Sequence, residues 1–138
     1  MSYAGAGALQ EAAYQALSAS PALEALVGGR VFDAAPHRDG PEGAPGTYVL
    51  LGDERTRPWG ARGLEGAEHE LEVAVVSPAE SFASAKAAAG AVSDVLLGPL
   101  PALAAGRVAT AQFAGARTRR LRDGGRRIEL RFRFRVEL

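Results

Sequence analysis

The sequence predicts an α+β fold in which two to three helices pack on a mainly antiparallel sheet of four to five strands. The first observation is segment 127–138, where apolar residues occupy every even position and charged residues every odd position. Because successive side chains of a strand point to opposite faces, this alternation predicts a strand with one buried and one charged face. A second alternating segment, 68–77, and an alanine-rich segment with helical spacing, 79–97, support the same fold class. At 138 residues, the chain has the size of a single domain, 1–138.

Two short helices are predicted near the N-terminus. The first covers about 7–18, where apolar residues recur at helical spacing. Ser20 and Pro21 have the residue types of an N-cap and of the first turn of a second helix. The glycine pair 28–29 is typical of a helix C-terminus. The predicted apolar positions are Leu9, Ala13, Ala16 and Leu17 in the first helix and Leu23, Leu26 and Val27 in the second.

Two strands are predicted on either side of a segment rich in proline and glycine. They cover 30–33 and 47–51, and the second is almost entirely apolar, which favours burial on both faces. The segment between them, 34–46, predicts a loop, and loops of this length are often functional. A further irregular segment, 54–66, carries the only tryptophan, Trp59. Two interpretations of Trp59 stay open, namely packing back over the sheet edge or anchoring an interface.

The strand predicted at 68–77 carries an acidic ladder. Glu68, Glu70 and Glu72 begin one of its faces, which becomes apolar further along the strand. These glutamates are therefore the acidic counterpart of the arginines in segment 127–138. The opposite face of the strand consists of His69, Leu71, Val73 and Val75.

The third helix has the clearest start and stop signals of the chain. Residues 77–80 fit the S-x-x-E capping box, with Pro78 at the first helical position, and the Gly-Pro pair 98–99 ends the helix. Its buried face is mostly alanine, so we expect the helix to lie close to the sheet. The residues of that face are Phe82, Ala85, Ala89, Val92 and Leu96.

A hairpin is predicted to form the C-terminal quarter of the chain. Segment 107–122 is its first strand, and the turn 123–125 leads into the last strand. A two-residue loop at 124–125 would fix the register of the two strands. In that register Arg122 faces Arg127, Arg120 faces Glu129 and Phe113 faces Val136.

This register creates an electrostatic problem. It places Arg117 and Arg119 on the apolar face of the last strand, where desolvation of an unpaired guanidinium costs several kcal/mol. Either a β-bulge shifts the register, or this end of the hairpin extends beyond the core as a solvated arm. Such an arm would repel itself, and an acidic partner would relieve the repulsion. Its basic residues are Arg117, Arg119, Arg120, Arg122, Arg126 and Arg127.

Charge is distributed unevenly although the whole chain has no net charge. Residues 1–106 hold 6 basic and 13 acidic residues, whereas residues 107–138 hold 10 basic and 3 acidic residues. This polarity favours head-to-tail contact between copies or contact with a polyanion. The alternative is that the charges simply solvate the outer face of a sheet.

No pattern of catalytic, metal-binding or cofactor-binding residues is found in the sequence. Cysteine is absent, and His37 and His69 lack the spacing of metal ligands. The motifs G-x-S-x-G, S-x-x-K and H-E-x-x-H are also absent. We therefore expect no enzyme, no cofactor and no metal. No apolar run approaches the ~20 residues of a membrane span, and a basic signal-peptide start is missing.

Binding of nucleic acid through the arginines is an alternative of a different class. The arginines could follow a phosphate backbone. However, single-strand binding platforms place aromatic residues among the charges, and here Phe132 and Phe134 point to the opposite face. The sequence therefore favours passive exposure to DNA over specific binding.

The order of several short motifs resembles that of the phage tail-completion family over essentially the whole chain. Each motif is weak alone, and the resemblance depends on their order and spacing. The alanine-rich composition, with 15 Arg and one Lys, also suits a gene transfer agent from a GC-rich bacterium. The motifs are LVGGRVFD at 26–33, YVLLG at 48–52, EHEL at 68–71, RTRR at 117–120, DG at 123–124 and LRFR at 130–133.

This resemblance implies a structural role and a fold related to the tail terminators of lambdoid phages. Members resemble tail terminators of long-tailed phages and gene transfer agents, which form a hexameric ring. The ring caps the tail tube, stops its polymerisation and joins it to the head-side connector, while DNA passes through the lumen without specific binding. The implied partners are further copies, the tail tube protein and a head-side stopper or connector protein, with assembly in the bacterial cytoplasm and no membrane.

The leading hypothesis is therefore a tail terminator that acts by assembly. The hairpin arginines are predicted to meet Glu68, Glu70 or Glu72 of a neighbouring copy or of the tail tube, with Trp59 as a further contact residue. Two alternatives remain, namely another head-tail neck protein, such as a stopper or head-completion protein, and a DNA-binding module that uses the arginine hairpin.

Overall fold

The computed structural model describes residues 3–33, 46–60, 63, 65–78 and 82–138. Three helices and five strands are formed, and the predicted α+β fold is confirmed. The elements in chain order are α1 Gly5–Ala19, α2 Pro21–Val27, β1 Val31–Phe32, β2 Tyr48–Pro58, β3 Gly66–Ser77, α3 Phe82–Leu97, β4 Arg107–Arg120 and β5 Arg126–Glu137.

The five strands form one mainly antiparallel sheet in the order β1-β2-β3-β5-β4. Only the short β1 runs parallel to its neighbour, β2. A single hydrophobic core joins the three helices to one face of this sheet, which we call the helix face. The opposite face carries the charged positions of the strands, and we call it the charged face.

The alternation in the last strand is confirmed. Its even positions are buried against the helices, and Phe132 and Phe134 are completely inaccessible to solvent. Burial of one such side chain contributes about 1.5–3 kcal/mol relative to exposure. Leu138 departs from the pattern because β5 ends at Glu137, and its side chain is 43 % exposed. The buried even positions are Ile128, Leu130, Phe132, Phe134 and Val136.

The signals of the second helix are also confirmed. The Ser20 hydroxyl oxygen accepts a hydrogen bond from the backbone N–H of Leu23 at 3.2 Å. Gly28 ends the helix with φ of 59°, a left-handed conformation that favours glycine. Leu26 was expected on the buried side but is 42 % exposed. The buried side of this short helix is formed by Leu23 and Val27, which lie about one turn apart, and Leu26 lies about 100° around the helix from Val27.

The second strand is longer than the sequence predicts. The expected strand 47–51 is the start of β2, which continues to Pro58, so the expected irregular segment 54–66 is wrong in its first part. A register shift between Leu51 and Glu54 interrupts the pairing, and residues 54–58 then pair with β3. Most side chains of this half of β2 are polar, so the sequence shows no apolar alternation there, although Arg57 forms a cross-strand ion pair with Glu68. Most of the predicted loop 34–46 lies outside the described residues.

The third helix packs its alanine face on the sheet as expected. Ala85, Ala89, Val92 and Leu96 are buried, and Phe82 is half-buried. The helix ends at Leu97, directly before the predicted Gly-Pro stop. Residues 79–81 of the predicted capping region lie outside the described residues.

Replacement of Ala89 by leucine should test this close approach. Ala89 is 7 % exposed and belongs to the hydrophobic core that α3 shares with the sheet and the other helices, so three added carbon atoms would overpack this core. We expect the free energy of unfolding to fall by about 1–3 kcal/mol in chemical denaturation. Ala87→Leu is the matched control, because Ala87 is exposed on the same helix and should tolerate the change. Equal stability of both variants would contradict the packing.

The hairpin register differs from that of a two-residue loop. The Leu121 N–H donates to the Gly125 carbonyl at 2.9 Å, and the Gly124 N–H donates to the Leu121 carbonyl at 3.1 Å. Gly124 has φ of 91°, as expected for the glycine of a three-residue hairpin turn with a bulge. The three pairings predicted for a two-residue loop are therefore wrong. The observed pairs are Arg120 with Arg126, Arg119 with Arg127, Arg117 with Glu129 and Phe113 with Phe132.

The new register resolves the problem of the predicted buried arginines. Two further register shifts, between Val108 and Thr110 and between Phe113 and Gly115, adjust β4 along β5. Arg117 now lies beside Glu129 on the charged face, so the bulge alternative is confirmed. The projecting arm is wrong, because Arg126 and Arg127 still pair with Ser77 and Val76 of β3.

Candidate interaction surface

The charged face brings the glutamates of β3 directly opposite arginines of β5. The register pairs Glu68 with Arg135, Glu70 with Arg133 and Glu72 with Arg131. The acidic and basic ladders recognised in the sequence are thus neighbours within one chain. Opposite charges facing each other across strands contribute roughly 0.2–1 kcal/mol a pair. This arrangement relieves much of the repulsion along β5.

Glu68 is the most enclosed carboxylate of this face. It is 6 % exposed, and it accepts hydrogen bonds from Arg57 Nε at 2.6 Å and from Arg135 Nε at 3.1 Å. Burial alone would raise the pKa of Glu68, but the hydrogen bonds and charges of the two guanidinium groups outweigh it, so the pKa lies below its usual value. Both partners belong to the same chain, so Glu68 is already paired in an isolated copy.

Trp59 packs back on this end of the sheet. The Arg135 guanidinium carbon lies 5.5 Å from the centre of the indole ring, a cation–π arrangement. A Cβ atom added to Gly66 would lie 3.0 Å from the ring, so the indole needs a glycine beside it. This position agrees with the interpretation that Trp59 packs back over the sheet edge. Its side chain remains partly exposed beside the Glu68 pairs.

The other two glutamates of β3 are less completely paired. Glu70 lies 3.5 Å from Arg131 Nη1 and 4.0 Å from Arg133 Nε. Glu72 lies beside the irregular part of β2, and among the described residues no ion pair of Glu72 is found. A depression of about 490 Å³ opens here on the charged face. We call it the acidic notch, because Asp53, Glu54, Glu70 and Glu72 outnumber the two arginines of its lining, Arg55 and Arg131. The Glu54 carboxylate itself lies near His69 on the helix face.

A second carboxylate, Glu129, is surrounded by hairpin arginines. Arg127 Nε donates to Glu129 at 2.9 Å, while Arg119 and Arg117 lie at 3.5 and 4.0 Å. Burial would raise the pKa of Glu129, but the Arg127 hydrogen bond and the three positive charges lower it below its usual value. One carboxylate cannot neutralise three guanidinium groups, so this part of the charged face remains positive.

The remaining hairpin arginines lie on other surfaces. Arg120 and Arg126 are on the helix face, 5.7 and 5.1 Å from the centre of the Phe82 ring, and Lys86 is 5.7 Å from the same ring. Arg122 is exposed at the turn. The structure therefore gathers the predicted arginines at one end of the molecule but divides them between two faces. The basic hairpin patch comprises Lys86, Arg117, Arg119, Arg120, Arg122, Arg126 and Arg127.

Sequence reasoning missed several residues that shape these surfaces. Arg55 and Arg57 alternate with Thr56 at strand spacing. All three side chains are polar, so the segment lacks the apolar positions that identify a strand in the sequence. The two arginines lie opposite Glu70 and Glu68 in the register. The cation–π role of Phe82 had no signal in the sequence, because it depends on how α3 approaches the hairpin.

His69 is completely buried on the helix face. Its Nδ1 lies 3.0 Å from the Thr56 hydroxyl oxygen and 3.5 Å from a carboxylate oxygen of Glu54. In the described ranges no three His, Cys, Asp or Glu residues are grouped so that they could hold a metal ion. None of the helices in the described residues is long and apolar enough to cross a membrane.

Acid should destabilise the fold through Glu68 and Glu129. Their folded-state pKa values lie below the ordinary glutamate value of 4.5. Their contribution to stability is therefore fully present above about pH 4.5 and is lost as the pH falls through the lowered values. We expect Tm in thermal unfolding to fall as the pH drops below about 4.5. Glu129→Gln should flatten this fall, whereas Glu11→Gln, an exposed control on α1, should not.

The fold and surface define a small α+β domain whose distinctive feature is a charged sheet face with a basic end and an acidic notch. The chain belongs to the tail completion protein gp17 family, whose model matches residues 11–137. This confirms the family expected from the sequence, and with it a structural role in tail completion.

The chain is also similar to a protein in a solved structure of a particle. The chain is 47 % identical to a protein of a structure titled "Virion of native gene transfer agent (GTA) particle", with a TM-score of 0.88. The match covers 99 % of this chain and 100 % of that one. Comparison with the curated proteins gives no match.

Proposed function

We propose that this protein is the tail terminator of a phage-like particle of the gene transfer agent type, in which six copies form a ring on the finished tail tube. The observation that carries the proposal is the match over the full length to a protein of a gene transfer agent virion. The ring would stop tube polymerisation and join the tube to a head-side connector. It acts by assembly and not by catalysis, in the bacterial cytoplasm, and DNA passes through its lumen.

Contact between copies is proposed to be head-to-tail. A closed ring uses heterologous interfaces, in which one patch meets a different patch of the next copy. The basic hairpin patch and the acidic notch have opposite net charge and consist of different residues, which suits such an interface. Glu68 is occupied by Arg57 and Arg135, so Glu70 and Glu72 are the better acceptors for a neighbour's arginines.

Electron microscopy of particles made with and without the protein tests the role. A terminator should give tails of uniform length with a ring at one end, and its loss should give tubes of uncontrolled length. A stopper or head-completion protein would leave tube length unchanged. Native mass spectrometry of the ring should give six copies. Tubes of normal length in the absence of the protein would refute the proposal.

A further inference from the structure

The outer edge of the sheet at β4 is unusually unprotected. β4 is the last strand in the sheet order and, in the described part of the chain, pairs only with β5. Exposed strand edges are normally blunted by charges, by prolines, by short length or by β-bulges. Of these devices, the central part of β4 has only the two register shifts. Residues 108–116 of β4 contain neither a charged residue nor a proline. Arginines stand at both ends of this uncharged stretch, at Arg107 and Arg117.

An apolar groove runs along this edge on the helix face. It has a volume of about 360 Å³ and lies between β4 and the segment that follows α3. Phe113 stands on the same face of β4 and is 51 % exposed, although one side of its ring meets Phe132 at 5.9 Å between centres. The edge therefore combines free backbone groups with an open apolar surface. Its apolar lining includes Leu96, Leu100, Leu103, Val108 and Ala111.

The geometry of β4 limits where a further strand could pair. Register shifts stand on both sides of Thr110–Phe113, so these four residues form the regular part of the edge. Ala111 and Phe113 lie on the helix face, while Thr110 and Gln112 lie on the charged face. An added strand would therefore place every second side chain over the groove and Phe113, and the others beside polar residues.

We propose that this edge binds a short extended segment of a different protein of the particle. The segment has an apolar residue at every second position where it pairs with 110–113. It extends about 33 Å in all, so that carboxylates at its ends reach Arg107 and Arg117. These arginines are 70 and 69 % exposed, although each already contacts a glutamate of the same chain, Glu137 and Glu129. A second copy does not offer such a segment. The free edge of β2, 52–58, carries Asp53, Glu54, Arg55 and Arg57 and ends in proline. The sequence 34–45 is likewise rich in proline and charge. The inference rests on the proposed function, because the bound segment belongs to another protein of the same particle.

Hydrogen exchange measured on the isolated protein and on assembled particles tests strand addition. We expect the amides of 110–113 that point away from β5 to exchange at least roughly tenfold more slowly in the particle, because a paired amide must open before it exchanges. Unchanged exchange there, in particles that contain the protein and have tails of normal length, overturns the inference and leaves the proposed function intact. Absence of the protein from tails would overturn the proposed function itself.

Crosslinking identifies the occupant. The chain has no cysteine, so Gln112→Cys introduces a unique attachment point for a photoreactive crosslinker on the β4 edge. We expect a product with another protein of the particle, and a crosslinked dimer of this chain would overturn the assignment. Ser18→Cys, on the exposed surface of α1, is the control position.

A matched pair of variants tests the apolar contact. Phe113→Ser should reduce incorporation into particles about tenfold or more, while Leu26→Ser, which removes a comparably exposed apolar side chain from α2, should not. Circular dichroism confirms that both variants remain folded. Equal incorporation of the two variants counts against the docking edge.

Discussion

The variant that combines Arg119→Glu and Arg120→Glu is expected to fold normally and to lose assembly. Both residues belong to the basic hairpin patch, and they lie on opposite faces of β4, Arg119 near Glu129 and Arg120 over Phe82. Reversal places like charges against an acidic neighbour, which costs several kcal/mol at an interface. We expect association between copies to weaken by at least roughly a hundredfold, or about 2.8 kcal/mol.

The folded copy should tolerate this change. Arg119 is 42 % exposed, and its contact with Glu129 is shared with Arg117 and Arg127. Exposed ion pairs of this kind contribute about 1 kcal/mol or less. The loss of assembly would therefore not result from unfolding, which thermal denaturation of the isolated variant checks.

Analytical ultracentrifugation at low and moderate salt measures the effect. Wild-type association should weaken as salt screens the contact, and the double variant should remain monomeric throughout. The variant that combines Arg119→Lys and Arg120→Lys, which keeps both positive charges, is the matched control. Addition of Glu72→Arg to the double variant should partly restore association, because the exchanged charges are again complementary. A double variant that assembles normally in moderate salt refutes the proposed contact.

The parts of the fold that the sequence predicts are those with strong apolar periodicity or local capping signals. β5 alternates without interruption, and its buried positions follow from residue type alone. The hydroxyl of Ser20 and the left-handed Gly28 act over one helical turn, so their roles need no knowledge of the tertiary structure. The spacing of Glu68, Glu70 and Glu72 likewise predicts one acidic ladder, because the alternation is visible within a single strand.

Features that depend on pairing between distant segments were predicted less well. In the second half of β2, Arg55 and Arg57 lie opposite Glu70 and Glu68, and Arg57 forms an ion pair with Glu68. No local pattern of the sequence reveals this pairing. In the hairpin, the choice between a two-residue and a three-residue turn shifts every pair along β4, and the bulges shift them again. The register decides which face each hairpin arginine occupies. The division of the arginines between two faces therefore could not be predicted without the register.

Phe132→Ala is expected to cause the largest loss of stability in the molecule. Phe132 is completely buried at the centre of β5, between β3 and β4, and its ring lies 5.9 Å from Phe113 and 6.4 Å from Phe134. Truncation of a buried phenylalanine costs about 3–5 kcal/mol, because transfer free energy is lost and a cavity remains. In a domain of this size we expect Tm to fall by roughly 10–20 °C.

Phe113→Ala separates the contribution of burial from that of the ring pair. It removes the same side chain from the neighbouring strand, but Phe113 is 51 % exposed, so little apolar area is lost and no cavity forms. We expect a cost of about 0.5–1.5 kcal/mol, the usual contribution of an aromatic pair. Chemical denaturation of the two variants gives the comparison. Similar losses in both would mean that β5 does not organise the core, and that the alternation of its residues reflects the charged face alone.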